Sequence, residues 1–434
     1  MRNRILVVLL TLAVGLSPLG LTAVDTRTAL KIDQEIEKHS LEIIKIRRFI
    51  HMNPELSNRE YETSKLVAAK LISLDLEVKT GVAGTGVVAL LRGGHSGPTV
   101  AIRADMDALP IQETTSVPFK SLNPGVMHAC GHDIHTSVAL GVAMVLSNIK
   151  DKIKGNVKFI FQPAEEGAPQ DEEGGAALMI KEGVLDDPTV GAIFGLHVWP
   201  EDVGQVNFST GDIMAGSDWF EITIKGKGAH GARPQEGIDA IVLAAEIITT
   251  LQSVISRSVD PVDPAVLTIG KIEGGTRSNI IAEKVTLEGT VRALSETNRK
   301  KIPQLMEGIV KGITQSFGAT STFDYRPSIP PVTNHPEFGQ TMLPTLIGVL
   351  GKDKVLPLPP QMVAEDFAYY ARRIPGFFFF LGVKSPFQTT TAALHSPNFN
   401  PDERSIAVGI KLMCHLLLDS LDKQSPLEPP PASL

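Results

Sequence analysis

The sequence predicts a two-domain α/β protein: a large domain built on a mixed sheet, interrupted by a small ferredoxin-like α+β lid. Three observations predict it. A chain of 434 residues is longer than one compact core usually organises. Strand and helix patterns alternate as far as about Gly216. Beyond that point the order becomes strand, helix, strand, strand, helix, strand, and near Pro330 the first kind of pattern resumes.

The elements follow in order. From Lys31 the stretch "IDQEIEKHSLEIIKIRRFIHMNPE" has helical periodicity, and Pro54 marks its end. "VVALLRG" and "TVAIRADM" read as strands, "HTSVALGVAMVLSNI" as a helix, "NVKFIFQ" as a strand, "GGAALMIKEGVL" as a helix and "VGAIFGLHVW" as a strand. The second unit opens with the alternating strand "DWFEITIKGKG", followed by the long helix "GIDAIVLAAEIITTLQSVISR". Its remaining strands are "AVLTIGKIEGG", "KVTLEGTVRAL" and "TSTFDYR", with the helix "ETNRKKIPQLMEGIVKGITQSFG" before the last of them. "GFFFFLGV" then reads as a strand buried on both faces. The boundaries expected are 31–213 and 328–424 for the two parts of the large domain and 214–327 for the insert.

Both ends stand apart from the fold. Arg2 and Arg4 precede an apolar run from Ile5 to Leu16, and small residues follow to Ala23, the pattern of a secretory signal peptide. Export, to a periplasm or to the outside, is the expectation; an uncleaved anchor is the alternative, although the run is short for a membrane span. "SPLEPPPASL", residues 425–434, reads as an unpacked tail. A net charge of −7 leaves no basic surplus to neutralise phosphates, so no nucleic-acid partner is expected. Two cysteines, Cys130 and Cys414, cannot build a disulfide framework.

Chemistry concentrates at predicted strand ends. "RADMDALP" places Asp105 and Asp107 past one strand, "QPAEEG" places Glu165 and Glu166 past another, and "GLHVWP" puts His197 at the end of a third. "HACGH" lies just before a helix, and "LHSPNF" offers His395 in a loop. Open α/β sheets bind ligands outside the carboxyl ends of their strands, so these segments can converge on one crevice. Thiolate, imidazole and carboxylate are the usual ligands of zinc, and a thiolate can bridge two ions. Cys130 and His132 are two apart and reach one ion from a bend, not from one helix face. Of the adjacent Glu165 and Glu166, one can bind metal while the other serves a metal-bound water as general base. His128 and His135 are weaker candidates than His132, since all three together give an excess of ligands. Each feature alone has a plainer reading: a solvated Glu pair, a packing histidine, an inert buried cysteine. It is the set, in one predicted domain, that points to a divalent metal centre.

"RADMDALP", "MHACGHDIHT", "FQPAEEG", "GLHVWP", "GKGAHGARP", "GGTRSNIIAE", "AEDFAYY" and "LHSPNF" occur in this order from about Ile46 to Asn400. The ordered set resembles the aminoacylase/carboxypeptidase metallopeptidase superfamily. It is most similar to the amidohydrolase branch of indole-3-acetyl-amino-acid hydrolases, hippurate hydrolases and N-acyl-amino-acid amidohydrolases. The resemblance implies two divalent metal ions, zinc or manganese with cobalt or nickel also admitted, held by Cys130, His132, Glu166, His197 and His395. Cys130 would be the bridge, Glu165 the general base, and Asp105 an aspartate that orients a metal-bound imidazole. It also implies that the insert is a lid and dimerisation domain, so a homodimer is expected. There His230 would stabilise the oxyanion, in some members across the dimer, Asn279 would contact substrate, and Arg277 or Arg292 would hold a product carboxylate. The chain departs from the commoner "GKGGHAAxPH" form at Ala229, Gly231 and Gln235, which puts a second histidine role in doubt but not that of His230. The activity implied is cleavage of N-acyl amino acids, small-molecule substrates, to a carboxylic acid and a free amino acid. A dipeptidase or carboxypeptidase is the nearer rival, but those relatives tend to carry His at the position of Arg103 and an Asp as bridge. An exported binding protein without catalysis is the other rival, and the intact Glu165, Glu166 and ligand set argue against it.

Overall fold

The computed structural model describes residues 24–387 and 392–423. The segment expected to be a signal peptide, 1–23, and the expected unpacked tail, 425–434, lie outside the described residues. An eight-stranded sheet organises the large domain. Its spatial order is Glu77–Val82, Gly86–Arg92, Lys154–Gln162, His95–Asp105, Val190–Asp202, Gly376–Lys384, Val206–Asn207, Val355–Leu356. The four strands from Lys154–Gln162 to Gly376–Lys384 run parallel, and antiparallel pairs flank them on both sides. A mixed sheet results, and the carboxyl ends of its parallel strands share one edge.

Burial on both faces explains the apolar runs. Phe377 and Phe379 join Phe194 in the core beneath the helices His132–Ser147 and Arg404–Lys423, whereas Phe378 and Phe380 join Phe367 and Tyr370 on the opposite face. All four phenylalanines are fully buried. Each contributes on the order of 1.5–3 kcal/mol by leaving water, which a strand exposed on one face could not obtain.

Within the insert, four antiparallel strands lie in the order Ala265–Gly274, Lys284–Ala293, Gly216–Lys225, Thr320–Ile329. With the helices Ala240–Ser253 and Glu296–Ser316 placed between them in the chain, this is the ferredoxin-like arrangement. Lys284–Ala293 shows why it is two-layered: every second residue is buried, and the others are half-buried after the exposed Lys284, so one face takes the helices.

Three expected elements shift in ways that matter. The helix expected from His135 begins at His132. The strand carrying His197 continues to Asp202, so that histidine sits inside the strand rather than at its end. The long helix of the insert stops at Ser253 and closes in a π-helical turn, Val254–Ser258.

Candidate metal centre and active site

Gly131 sets the geometry of the centre. It adopts φ +85°, a left-handed conformation that L side chains avoid, and turns the chain sharply between Cys130 and the helix starting at His132. A Cβ here would come within 2.5 Å of Val198 Cγ2. We therefore expect Gly131→Ala to move Cys130 away from His132 and to cost stability on the order of 1–3 kcal/mol. Metal content measured after dialysis, beside the melting temperature, checks this: bound metal should fall more steeply than fold stability.

Around that bend the ligand candidates meet. Cys130 Sγ lies 3.3 Å from His197 Nε2 and 3.3 Å from His395 Nε2. His395 Nε2 is 3.3 Å from Glu166 Oε1, and His132 Nε2 is 4.0 Å from the same oxygen. Among the described residues a further group joins His132 and Glu166 to Glu165, and two groups of potential ligands contain Cys130, one with His132 and His197 and one with Glu166 and His395. They share the sulfur. His395 reaches the cluster from its loop with φ +61°, a conformation rare outside glycine.

The residues present fit divalent cations. His132 Nε2 and Glu166 Oε1 are buried without a hydrogen-bond partner among the described residues. An orphaned buried polar atom costs about 1–3 kcal/mol unless something satisfies it. Their other atoms are fixed from behind: His132 Nδ1 is 3.2 Å from Asp107 Oδ1, and His197 Nδ1 is 2.7 Å from the Val198 carbonyl oxygen. Those partners accept from Nδ1 in each ring, so in the neutral imidazole Nε2 is the nitrogen left to take a cation. Burial, with Glu166 and Glu165 beside it, pushes the Cys130 thiol well above its ordinary range. Burial alone would lower His132, but Asp105 and Asp107 hold it up at about 10. The protein supplies a concentrated negative field, and a divalent cation is the charge that would complete it.

Glu165 stands apart from the two sulfur-sharing groups. It is buried, its Oε2 lies 3.9 Å from His132 Nε2, and it lines the cavity beyond the cluster. Burial, followed by Glu365, Glu166 and Asp366, raises its carboxyl well above the usual carboxylate range. A carboxyl that lines the cavity beside the cluster is placed to exchange a proton there, as a general base must.

One expectation is corrected. Asp105 does not orient His132: its Oδ1 is 2.6 Å from His135 Nδ1 and 3.9 Å from His132 Nδ1. Asp107 holds His132 instead, while itself accepting from Ser57 Oγ and the Glu166 amide. His135 is thereby used as a brace, its Nε2 accepting the Val198 amide at 2.9 Å. His128 packs behind the bend with its ring 6.4 Å from that of His51.

The cavity, roughly 610 Å³, is lined by Cys130, Glu165, Glu166, His197 and His395 of the cluster together with Trp199, Met214, Met362 and Leu394, and Ser217 and Arg292 of the insert also line it. Of the four insert residues named from the sequence, only Arg292 lines it. His230, Asn279 and Arg277 are exposed and grouped with one another: Ile280 pairs with His230, and the Asn279 carbonyl accepts from the Gly231 amide. The sequence reading missed Asp107 as the residue that orients His132, Gly131 as the turn, and the pairing of Arg103 with the "AEDFAYY" carboxylates. The period-two alternation of a strand was the available signal for the first, because it puts 103, 105 and 107 on one side.

Comparison with known proteins bears on what such a site does. A family model, peptidase family M20/M25/M40, matches residues 101–419. A probable hydrolase of Synechocystis sp. is 43% identical over 371 residues, covering 85% of this chain and 93% of that protein. The N-acetyl-L-cysteine deacetylase of Bacillus subtilis is 38% identical over 395 residues, covering 90% of this chain and 92% of that one. The crystal structure of the YXEP protein of Bacillus subtilis, described as a dinuclear metal-binding peptidase of the M20 family, superposes with a TM-score of 0.78. It shares 37% identity, with 89% of this chain and 100% of that one covered.

Proposed function

This chain belongs to peptidase family M20/M25/M40 and is a metal-dependent hydrolase of its amidohydrolase branch, and on that premise we propose that it cleaves the amide bond of N-acyl amino acids, releasing a carboxylic acid and the free amino acid. The observation that carries the reading is the pair of ligand groups sharing Cys130 in a cavity whose lining also includes apolar side chains and one arginine. Cys130, His132 and His197 would hold one ion, and Cys130, Glu166 and His395 a second, supplying carbonyl polarisation and a water of lowered pKa. Zinc suits the thiolate and imidazoles best; manganese, cobalt or nickel are the alternatives.

The chain's own residues do the rest. Glu165 takes a proton from the attacking water as its oxygen bonds to the acyl carbon. The same carboxyl then passes that proton to the amine nitrogen as the C–N bond breaks. Arg292 faces the cavity and would pair with the substrate's carboxylate, while Trp199, Met214, Met362 and Leu394 receive the acyl group. His230, Asn279 and Arg277 are exposed and line no part of their own chain's cavity, which supports a homodimer in which one copy supplies them to the other.

A panel of N-acetyl, N-benzoyl and indole-acetyl amino acids against dipeptides tests the reading. A dipeptide brings a charged α-amine against the apolar side chains, so kcat/KM should favour the N-acyl compounds by about tenfold or more. Faster cleavage of the dipeptides would replace this reading with the peptidase one.

A further inference from the structure

Behind Glu165 lies a buried cluster that the reaction as described leaves unused. Arg103 is 2% exposed, and its guanidinium reaches three carboxylates. Nη1 is 2.6 Å from Asp105 Oδ2, and Nη2 is 3.0 Å from Glu365 Oε1 and 2.8 Å from Asp366 Oδ1. Its Nε donates to Gln162 Oε1 at 2.9 Å. Asp366 also accepts from Gln162 Nε2 and the Ala176 amide, and Glu365 from the Phe367 amide. Glu165, Glu365 and Asp366 each offer an oxygen within 4.8 Å of the others.

We propose that Arg103 is a positioning residue for Glu165, clamping Glu365 and Asp366 of "AEDFAYY" against the strand end that carries Asp105 and so fixing the wall on which Glu165 stands. Three buried carboxylates crowded behind a fourth require a cation, because breaking a buried ion pair leaves an uncompensated charge. Arg103 supplies it from within the chain, with a planar fork that serves several acceptors at fixed angles. It touches no ligand group that contains Cys130, and it ties residue 103 to residues 365 and 366, next to Met362 and Ala364 of the cavity wall. This inference rests on the reading of Glu165 as the base.

The test is a kinetic series on the metal-loaded full chain, with metal content and melting temperature taken for every variant. For Arg103→Met we expect kcat to fall about 100-fold, the size of effect an ångström-scale misplacement produces, with KM and metal content unchanged. Adding Glu365→Gln to Arg103→Met should recover about tenfold of that loss, because removing both partners costs less than stranding one. An arginine that merely holds the fold would instead lower melting temperature and metal content together with activity. The inference is overturned if Arg103→Met keeps kcat within about twofold, if its lost activity tracks lost metal, or if the double variant does no better than the single. Should Arg103→Met fail to fold, Arg103→Lys, which keeps the charge and loses the fork, must show a reduced kcat at unchanged metal content; full kcat there also overturns it. Glu165→Gln is measured alongside. If that variant stays active, the base assignment itself falls; if it is inactive while the Arg103 variants are normal, only the present inference does.

Discussion

Glu165→Gln loses turnover by a factor of about 10² to 10⁴, the usual worth of a positioned general acid–base, while bound metal and KM stay near those of the parent protein. The substitution keeps shape and removes only the ability to accept a proton. Glu165 belongs to neither of the two ligand groups that share Cys130, and in its own group with His132 and Glu166 those two remain, so metal binding should survive. The carboxyl faces the cavity and has its proton affinity raised by burial and by three neighbouring carboxylates. Steady-state kinetics with elemental analysis of the dialysed variant check both halves at once. A Glu165→Gln protein that turns over normally removes this residue from the mechanism. One that has lost its metal makes it a ligand instead.

Cys130→Ala should be at least as damaging, for a different reason. The sulfur is the atom both ligand groups have in common, so its removal weakens two sites rather than one. Retained metal should drop from two equivalents to one or none, and hydrolysis should fall by about 10³-fold or more, as expected when carbonyl polarisation and water activation are lost together. Fold stability of the metal-free protein should change by only about 1 kcal/mol, since a small buried side chain replaces another. Cys414→Ala is the matched control. That thiol, on the helix Arg404–Lys423, is fully buried in the apolar core and lies in none of the candidate metal groups among the described residues. Its removal should leave metal content and activity in place. Equal loss in the two variants would mean that the effect comes from packing, not from ligation.

How much of this was legible in the sequence depends on the range of the interaction. The layered fold and its insert were readable because strand alternation, helix periodicity and the doubly buried "GFFFFLGV" are local patterns with a period. The candidate ligands were readable because thiol, imidazole and carboxylate at strand ends already have a chemistry and because the ordered motifs resemble a metallopeptidase family, and the structure brings Cys130, His132, Glu166, His197 and His395 near one another. The roles of Asp105 and Asp107 were not separable. They differ by two residues, and which of them meets His132 is decided by how the helix start seats on the sheet, which turns on Gly131 and Val198. Arg103 and Glu365 were equally opaque, since they are 262 positions apart in the chain and meet only through the parallel sheet. His230, Asn279 and Arg277 are a different case: within one chain they are grouped with one another outside the cavity, and a role for them needs a second copy.

The central claim is that one protein chain holds two ions at Cys130 and uses them, with Glu165, to cleave an N-acyl amino acid. Titrating metal-stripped protein with zinc or manganese, and following release of the free amino acid, tests it most directly. The account predicts that activity is absent at zero metal and reaches its plateau at two equivalents per chain. Hydrolysis that persists in the stripped protein, or a plateau at one equivalent, would contradict it.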